Sequence, residues 1–220
     1  MTAHGRQTPI LTTLDLLDDL ASKRIISQDV LFVRRTYLRQ AGFQLVPLTA
    51  MELSYHLENA PLANGAVVET AELRAIRESM LGARMSKMLQ IPTEVPWLHQ
   101  SMNAIIHTLK QIWQTTADHK NAAAYSDWLL ELLDVRGWAA SAPPGNERGF
   151  ALYAYAAHIL QIISAPDVCN VVRDAYHEWV DERVVRNIQD TEPEIFEWIV
   201  GQARDLIAHT AEIAAAKLET

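Results

Sequence analysis

Apolar residues recur every three or four positions along most of the chain. The clearest run lies between Trp97 and Thr116, where the apolar positions are Leu98, Met102, Ile105, Ile106, Leu109, Ile112 and Trp113. This spacing places them on one face of a long amphipathic helix. Shorter runs of the same kind predict helices from Thr13 to Arg24, Ser27 to Gly42, Thr49 to Asn59, Thr70 to Leu89, Tyr125 to Val135, Pro166 to Val185, and Thr191 to the alanine-rich end.

The segment Phe150–Ile163 is apolar in nearly every direction of a helical wheel, and only His158 and Gln161 interrupt it. A helix without a polar face is a buried helix, and this one is too short to span a bilayer. We therefore predict an all-α protein: a multi-helix bundle of eight or nine helices around this buried central helix, with at most one short strand pair.

Two prolines, Pro92 and Pro96, interrupt the helical pattern near the middle of the chain. Proline commonly marks a helix boundary, so we predict an N-terminal helical subdomain (1–92) and a C-terminal helical bundle (93–220). Within the first, Phe43–Val46 alternates with period two, as a short strand does. Its only candidate partner is the short apolar run Ala66–Val68.

Two threonines are each followed by a glutamate three residues later: Thr49 by Glu52, and Thr191 by Glu194. In a capping box, the threonine oxygen and the glutamate each accept a hydrogen bond from a free backbone N–H at the helix start. We expect both glutamates to act as helix caps.

Composition narrows the class of protein. A chain of 220 residues that is 49% hydrophobic can bury a substantial core. The lone cysteine, Cys169, cannot form an internal disulfide, which favours a reducing cytoplasm. The net charge of −8 argues against general affinity for nucleic acid or anionic membranes. Residues 1–50 carry a small basic excess that includes Arg34, Arg35 and Arg39, which we interpret as solvated arginines on an amphipathic helix.

Several kinds of site are excluded by the sequence. A di-iron bundle needs Glu-x-x-His pairs, the usual zinc sites need several cysteines, and phosphate loops need clustered glycines; none of these occurs. His177, Glu178, Asp181 and Glu182 have the spacing of a one-sided cation site, but no other helix offers a matching histidine. We interpret these four as polar surface and expect no metal and no cofactor.

His158 is the only histidine of the predicted central helix, which would bury its ring. A buried histidine needs a hydrogen-bond partner or stays neutral. With Tyr153 and Tyr155 it forms a candidate ligand pocket, although a satisfied core histidine is the simpler interpretation.

Arg204-Asp205-Leu-Ile-Ala-His209 resembles the Arg-polar-x-x-x-His motif of HEPN ribonucleases, which are helical bundles. The resemblance implies metal-independent RNA cleavage. The histidine would move a proton and the arginine would stabilise charge on the phosphorane. Arg204 and His209 are therefore the candidate catalytic residues.

A second resemblance covers more of the chain. Its segments are Thr12–Leu20, Gly42–Thr49, Glu69–Glu78, Pro96–Leu98 and Ser126–Trp138. They are similar to the helical region that follows the PIN nuclease fold in large bacterial proteins with tetratricopeptide repeats, for which roles in defence or conflict have been proposed. PIN catalysis needs aspartates at strand ends, whereas Asp15, Asp18 and Asp19 fall on a predicted helix, so no catalytic residue carries over.

The favoured function is a non-catalytic helical interaction module, either the accessory part of a PIN-type conflict protein or a free-standing relative. A HEPN-like ribonuclease and a small-molecule sensor built around His158 are the alternatives. We accordingly expect a protein partner and no membrane contact, with RNA and a second copy of the chain as further candidate partners.

Overall fold

The computed structural model describes residues 12–85, 94–116, 118–133, 156–163, 168 and 170–218. Its elements, in chain order, are α1 (Thr13–Ser22), α2 (Gln28–Gln40), α3 (Ala50–Glu58), β1 (Leu62–Ala63), β2 (Ala66–Val67), α4 (Ala71–Met85), α5 (Glu94–Thr115), α6 (His119–Leu133), α7 (156–163), α8 (Arg173–Trp179), a π-helical segment (Val180–Val185), α9 (Arg186–Thr191) and α10 (Pro193–Leu218). The run from α8 through the π-helical segment to α9 is continuous, so the described part of the chain contains nine helical rods. The predicted all-α class is confirmed.

Helix α5 lies at the middle of the main core. All seven apolar positions of its predicted stripe are buried, and they pack with buried residues of α3, α4, α6, α7 and α8 in one cluster. The helix begins at Glu94, so Pro96 lies in its first turn. Proline is tolerated there because the backbone N–H groups of the first turn have no carbonyl partner within the helix. The predicted boundary at residue 92 falls outside the described residues and stays a prediction.

The predicted central helix is described from residue 156 onward, as α7. Ala156, His158, Ile159 and Ile162 are buried, and the hydroxyl of Tyr176 donates to the Ile162 carbonyl at 2.5 Å. Gln161 and Ile163 are exposed. The described half is therefore a core helix whose last turn reaches solvent on one side, rather than a helix enclosed in every direction.

The strand predicted at Phe43–Val46 is wrong. The only strands among the described residues pair Leu62 with Val67 and Ala63 with Ala66. Asn64 and Gly65 connect them with φ angles of 54° and 75°. Two residues with positive φ form the turn that matches strand twist, and Asn-Gly is a preferred sequence for it. The turn chemistry of Asn64 and Gly65 therefore allows the segment to fold back on itself as a short strand pair.

The long C-terminal helices begin later than predicted. Val168 is not helical and Val171 is 80% exposed, so the helix that we predicted to begin at Pro166 begins at Arg173.

The capping box predicted from Thr191 and Glu194 does not start α10, because Thr191 belongs to the preceding helix. Thr191 ends α9 and donates its hydroxyl to the Asn187 carbonyl, whereas the Glu192 carbonyl accepts the first backbone bonds of α10.

The N-terminal hairpin, defined here as α1 and α2, has a small hydrophobic cluster of its own. Ala21, Leu31 and Phe32 are its buried members, and they are separate from the main core. Helix α2 points Arg35 and Arg39 inward. It exposes apolar side chains on its outer face: Val30, Val33 and Tyr37. The interpretation of these two arginines as solvated is wrong, because a buried carboxylate on α3 attracts them.

No helix in the described parts of the chain has both the length and the apolar character needed to cross a membrane.

Candidate functional site

An open groove of about 830 Å³ lies where the N-terminal hairpin meets the rest of the molecule. Three helices line the groove. The first two turns of α2 form one wall, one face of α3 forms another, and α5 contributes two residues that lie one turn apart. The lining residues are Gln28, Asp29, Phe32, Ala50, Met51, Ser54, Tyr55, Glu58, His107 and Gln111. The groove is thus a product of tertiary packing, because no single element could form it.

The starts of two helices set the positions of two groove walls, and a side-chain cap is present at one of them, α3. The Thr49 hydroxyl accepts a hydrogen bond from the Glu52 backbone N–H at 3.2 Å, which starts α3 at Ala50. Helical periodicity then places Ala50, Ser54 and Glu58 on one face, four residues apart. Ser27 occupies the N-cap of α2, so Gln28, Asp29 and Phe32 belong to the first turns of that helix.

Phe32 and Tyr55, which line the groove, form a cluster of three rings with the buried His56. The Phe32 ring lies 5.4 Å from the Tyr55 ring and 6.2 Å from the His56 ring, and Tyr55 and His56 are 5.3 Å apart. Tilted and edge-on contacts of this kind stabilise aromatic clusters beyond simple burial. Phe32 comes from the hairpin and the other two rings from α3, so the cluster joins the two sides of the groove.

A buried ionic network lies behind the rings. The Glu52 carboxylate, with none of its side chain exposed, accepts hydrogen bonds from Arg39 at 2.5 and 3.2 Å and from Arg35 at 3.3 Å. Both guanidiniums also donate to the Pro47 carbonyl, and Arg35 reaches Asp18 on α1 at 2.8 Å. Glu52 therefore does not complete the predicted capping box, because the two arginines occupy its carboxylate instead.

His56 is neutral in this setting. Burial is the main reason that its pKa is lowered; the carboxylates of Glu52 and Glu72 raise the pKa again, and the charge of Arg39 lowers it. Its Nε2 atom has no hydrogen-bond partner. A neutral ring can pack as an apolar group against Phe32 and Tyr55, the two aromatic residues of the lining.

The charged side chains of the groove are of one sign. Asp29 and Glu58 line it, and no lysine or arginine does so among the described residues. A hydrogen bond from the Ser27 side chain lowers the pKa of Asp29. Burial raises the pKa of the nearby Tyr125, and the negative fields of Glu58 and Asp118 raise it further. The end of the groove at Glu58 is therefore a region of negative potential.

The candidate ligand pocket is described only at His158. Its ring is buried, Nδ1 has no hydrogen-bond partner, and burial lowers its pKa to about 4, with a smaller contribution from His99. Tyr153 and Tyr155 lie outside the described residues. His158 is thus a neutral core histidine at physiological pH, and the pocket around it stays a prediction.

The ribonuclease candidates are described only in part. Arg204 is exposed on α10, and the side chain of His209 lies outside the description. Their predicted role in catalysis stays a prediction. His177, Glu178, Asp181 and Glu182 are exposed, and no group of three potential metal ligands occurs among the described residues. Their exposure is that of polar surface residues.

Two further carboxylates accept hydrogen bonds from a tryptophan and an arginine together. Asp127 on α6 accepts from the Trp179 indole at 2.9 Å and from Arg183 at 3.0 and 2.6 Å. Glu69 accepts from the Trp128 indole at 3.0 Å and from Arg77 at 2.5 and 2.9 Å. All of these polar groups satisfy one another, so they join helices rather than offer a free site.

Comparison with known proteins gives no relative: no family model matches the chain, and neither the curated proteins nor the solved structures contain a significant match.

Sequence reasoning did not find the groove. The one local indication was Met51, an apolar residue beside the buried stripe of α3 (Leu53 and Leu57) instead of on it, and it is 62% exposed. The opposing wall depends on how α2 packs, which no pattern within α2 reveals.

Proposed function

We propose that this protein is a non-catalytic helical interaction module, and that the groove between α2, α3 and α5 is where another protein docks. The observation that carries the proposal is the groove itself, an open cleft with an aromatic base and exposed apolar Met51 beside it. Concave surfaces of this kind, with an apolar centre and a polar edge, are typical of protein interfaces.

The openness of the groove favours a macromolecule over a small ligand. Sites for small molecules enclose most of the ligand surface. Here Gln28, Asp29, Met51, Glu58 and His107 are all exposed, so the groove has no cover over it. A small molecule would stay largely in water, whereas a protein segment would bring its own surface to close the site.

The side chains of the groove also favour binding over catalysis. A catalytic base needs a nearby nucleophile or a group that orients it. His107 lines the groove from α5 and the hydroxyl-bearing Ser54 and Tyr55 line it from α3, but no hydrogen bond between His107 and either of them is observed among the described residues. The role as an accessory part of a PIN-type conflict protein remains a proposal that rests on the resemblance of the helical segments.

Site-specific photo-crosslinking in the organism of origin tests the proposal. A benzoylphenylalanine replaces Met51 in the full chain, and the control places it at Val171, another exposed apolar residue, in the turn before α8. A second substitution, Ser54→Lys, puts a long charged side chain into the groove without removing any buried group.

We expect a discrete protein adduct from Met51, its loss in the Ser54→Lys background, and no such adduct from Val171. No adduct from Met51, or an identical set of adducts from both positions, would contradict the proposed function. Circular dichroism of each purified variant confirms that the helical content is unchanged.

A further inference from the structure

We infer that the occupant of the groove is an amphipathic α-helix of a partner protein that places lysine or arginine beside Glu58 and Asp29. This inference rests on the proposed function and names the chemistry of the partner. It is carried by three features of the groove: the shape of its walls, the electrostatics at the end of α3, and the sign of its charges.

The walls are built to receive a helix. Side chains that line the groove from α3 recur at four-residue intervals, and His107 and Gln111 on α5 have the same spacing. Rows of this kind on two neighbouring helices form ridges between which the side chains of a third helix can pack. Helix-in-groove recognition uses apolar anchors three or four residues apart. The exposed Met51 and the half-buried Tyr55 supply most of the apolar contact surface, because Phe32 is only 3% exposed.

Glu58 carries the strongest argument for a cation. It is the last residue of α3, where the helix dipole presents its negative end. A carboxylate at that end is electrostatically unfavourable, and the only basic residue in the same turn is His56. Since burial keeps His56 neutral, it does not compensate Glu58.

The field of Glu58 also reaches Tyr125, as does that of Asp118, whose carboxylate accepts backbone hydrogen bonds at the start of α6. The negative charge that lies in the groove itself is therefore that of Glu58 at the C-terminal end of α3. A lysine or arginine from a partner would relieve this repulsion, so the location favours a basic side chain over a neutral or acidic one.

Asp29 provides a second negative position on the opposite wall. It lies in the first turn of α2, where its charge also complements the positive end of that helix dipole. It lines the groove and has no basic residue beside it in the lining. A partner helix that contacts both walls would therefore meet a carboxylate on each side of the apolar base.

Two synthetic probes test the inference. Each is a fluorescent amphipathic peptide of about 18 residues, long enough to form a helix on binding; one is made of leucine and lysine, the other of leucine and glutamate. Fluorescence anisotropy measures their binding to the full chain. The variants are Glu58→Gln and Asp29→Asn, and the matched control is Glu178→Gln, an exposed glutamate on α8.

We expect the leucine–lysine peptide to bind at least tenfold more tightly than the leucine–glutamate peptide. Glu58→Gln and Asp29→Asn should each weaken it about two- to fivefold, the range of an exposed ion pair, and Glu178→Gln should have no effect. Equal binding of the two peptides, no binding of either, or equal losses in all three variants would overturn the inference. If the Met51 crosslink persists in any of those cases, the proposed function stands and only the chemistry of the partner is wrong.

Discussion

The guanidinium of Arg39 donates two hydrogen bonds to the carboxylate of Glu52, at 2.5 and 3.2 Å, with neither side chain more than marginally exposed. Arg35 donates to the same carboxylate. Substituting Glu52 by Gln would leave the buried Arg39 without a counter-ion and Arg35 with only the half-exposed Asp18. Loss of one partner of a buried ion pair costs about 3–5 kcal/mol, so we expect a loss of this size in urea-induced unfolding.

Asp19→Asn is the matched control for that experiment. Asp19 pairs with Lys23 at 2.7 Å, but both side chains are about half exposed, and exposed pairs contribute about 0–1 kcal/mol. A Glu52→Gln variant as stable as Asp19→Asn would show that the network does not hold the hairpin in place.

Stability should fall as the pH falls from 7 to 5 because His158 is buried. Its pKa is about 4 in the folded chain and 6.5 in the unfolded reference. His158 therefore binds a proton below about pH 6.5 in the unfolded state, but only below about pH 4 in the folded state. Through linkage this costs about 2 kcal/mol between pH 7 and 5.

Urea unfolding of the His158→Phe variant at the two pH values isolates this effect. The variant should lose about 2 kcal/mol less than the wild type between pH 7 and 5, whereas His177→Gln, at an exposed position, should behave as the wild type does. The same pH dependence in wild type and His158→Phe would mean that His158 is not the buried neutral ring described above.

The Asp127 carboxylate should matter more to stability than the Asp181 carboxylate, although both pair with an arginine. Asp127 also accepts the indole N–H of Trp179, which Asp127→Ala would leave without its partner, at a cost of about 1–3 kcal/mol. The pair of Asp181 with Arg186 is exposed on both sides, so Asp181→Ala should cost less than about 1 kcal/mol. Thermal unfolding of the two variants compares them directly, and equal losses would contradict the difference.

The interaction-module account also predicts the outcome of an RNA assay. Labelled RNA should remain intact with the wild type, and Arg204→Ala and His209→Ala should give the same result. Cleavage by the wild type that is lost in both variants would instead establish the HEPN-like activity.

Local patterns predicted the helices of this protein well, but they did not predict the site. The stripe of α5 could be read from the sequence because its residues repeat within one helix and all face one core. The burial of Arg35 and Arg39 could not, since their partner Glu52 belongs to another helix and itself matched a capping motif. The predicted start of the helix at Pro166 was wrong for a related reason. The apolar character of Val171 suggested a buried helix face, but the chain at Val171 is a turn.

The groove could not be predicted from local sequence patterns for the same physical reason. Its walls come from three helices, and its base joins Phe32 to Tyr55 across the seam between the hairpin and α3. These residues come together because α2 packs against α3, where Arg35 and Arg39 pair with Glu52.

Amide chemical-shift mapping with the leucine–lysine peptide tests the central claim most directly. The account predicts that the largest shifts fall on Phe32, Met51, Tyr55, Glu58 and His107, and that Ser54→Lys abolishes them while the spectrum remains that of a folded protein. Shifts that cluster on α8 and α9 instead, or that persist unchanged in Ser54→Lys, would contradict it.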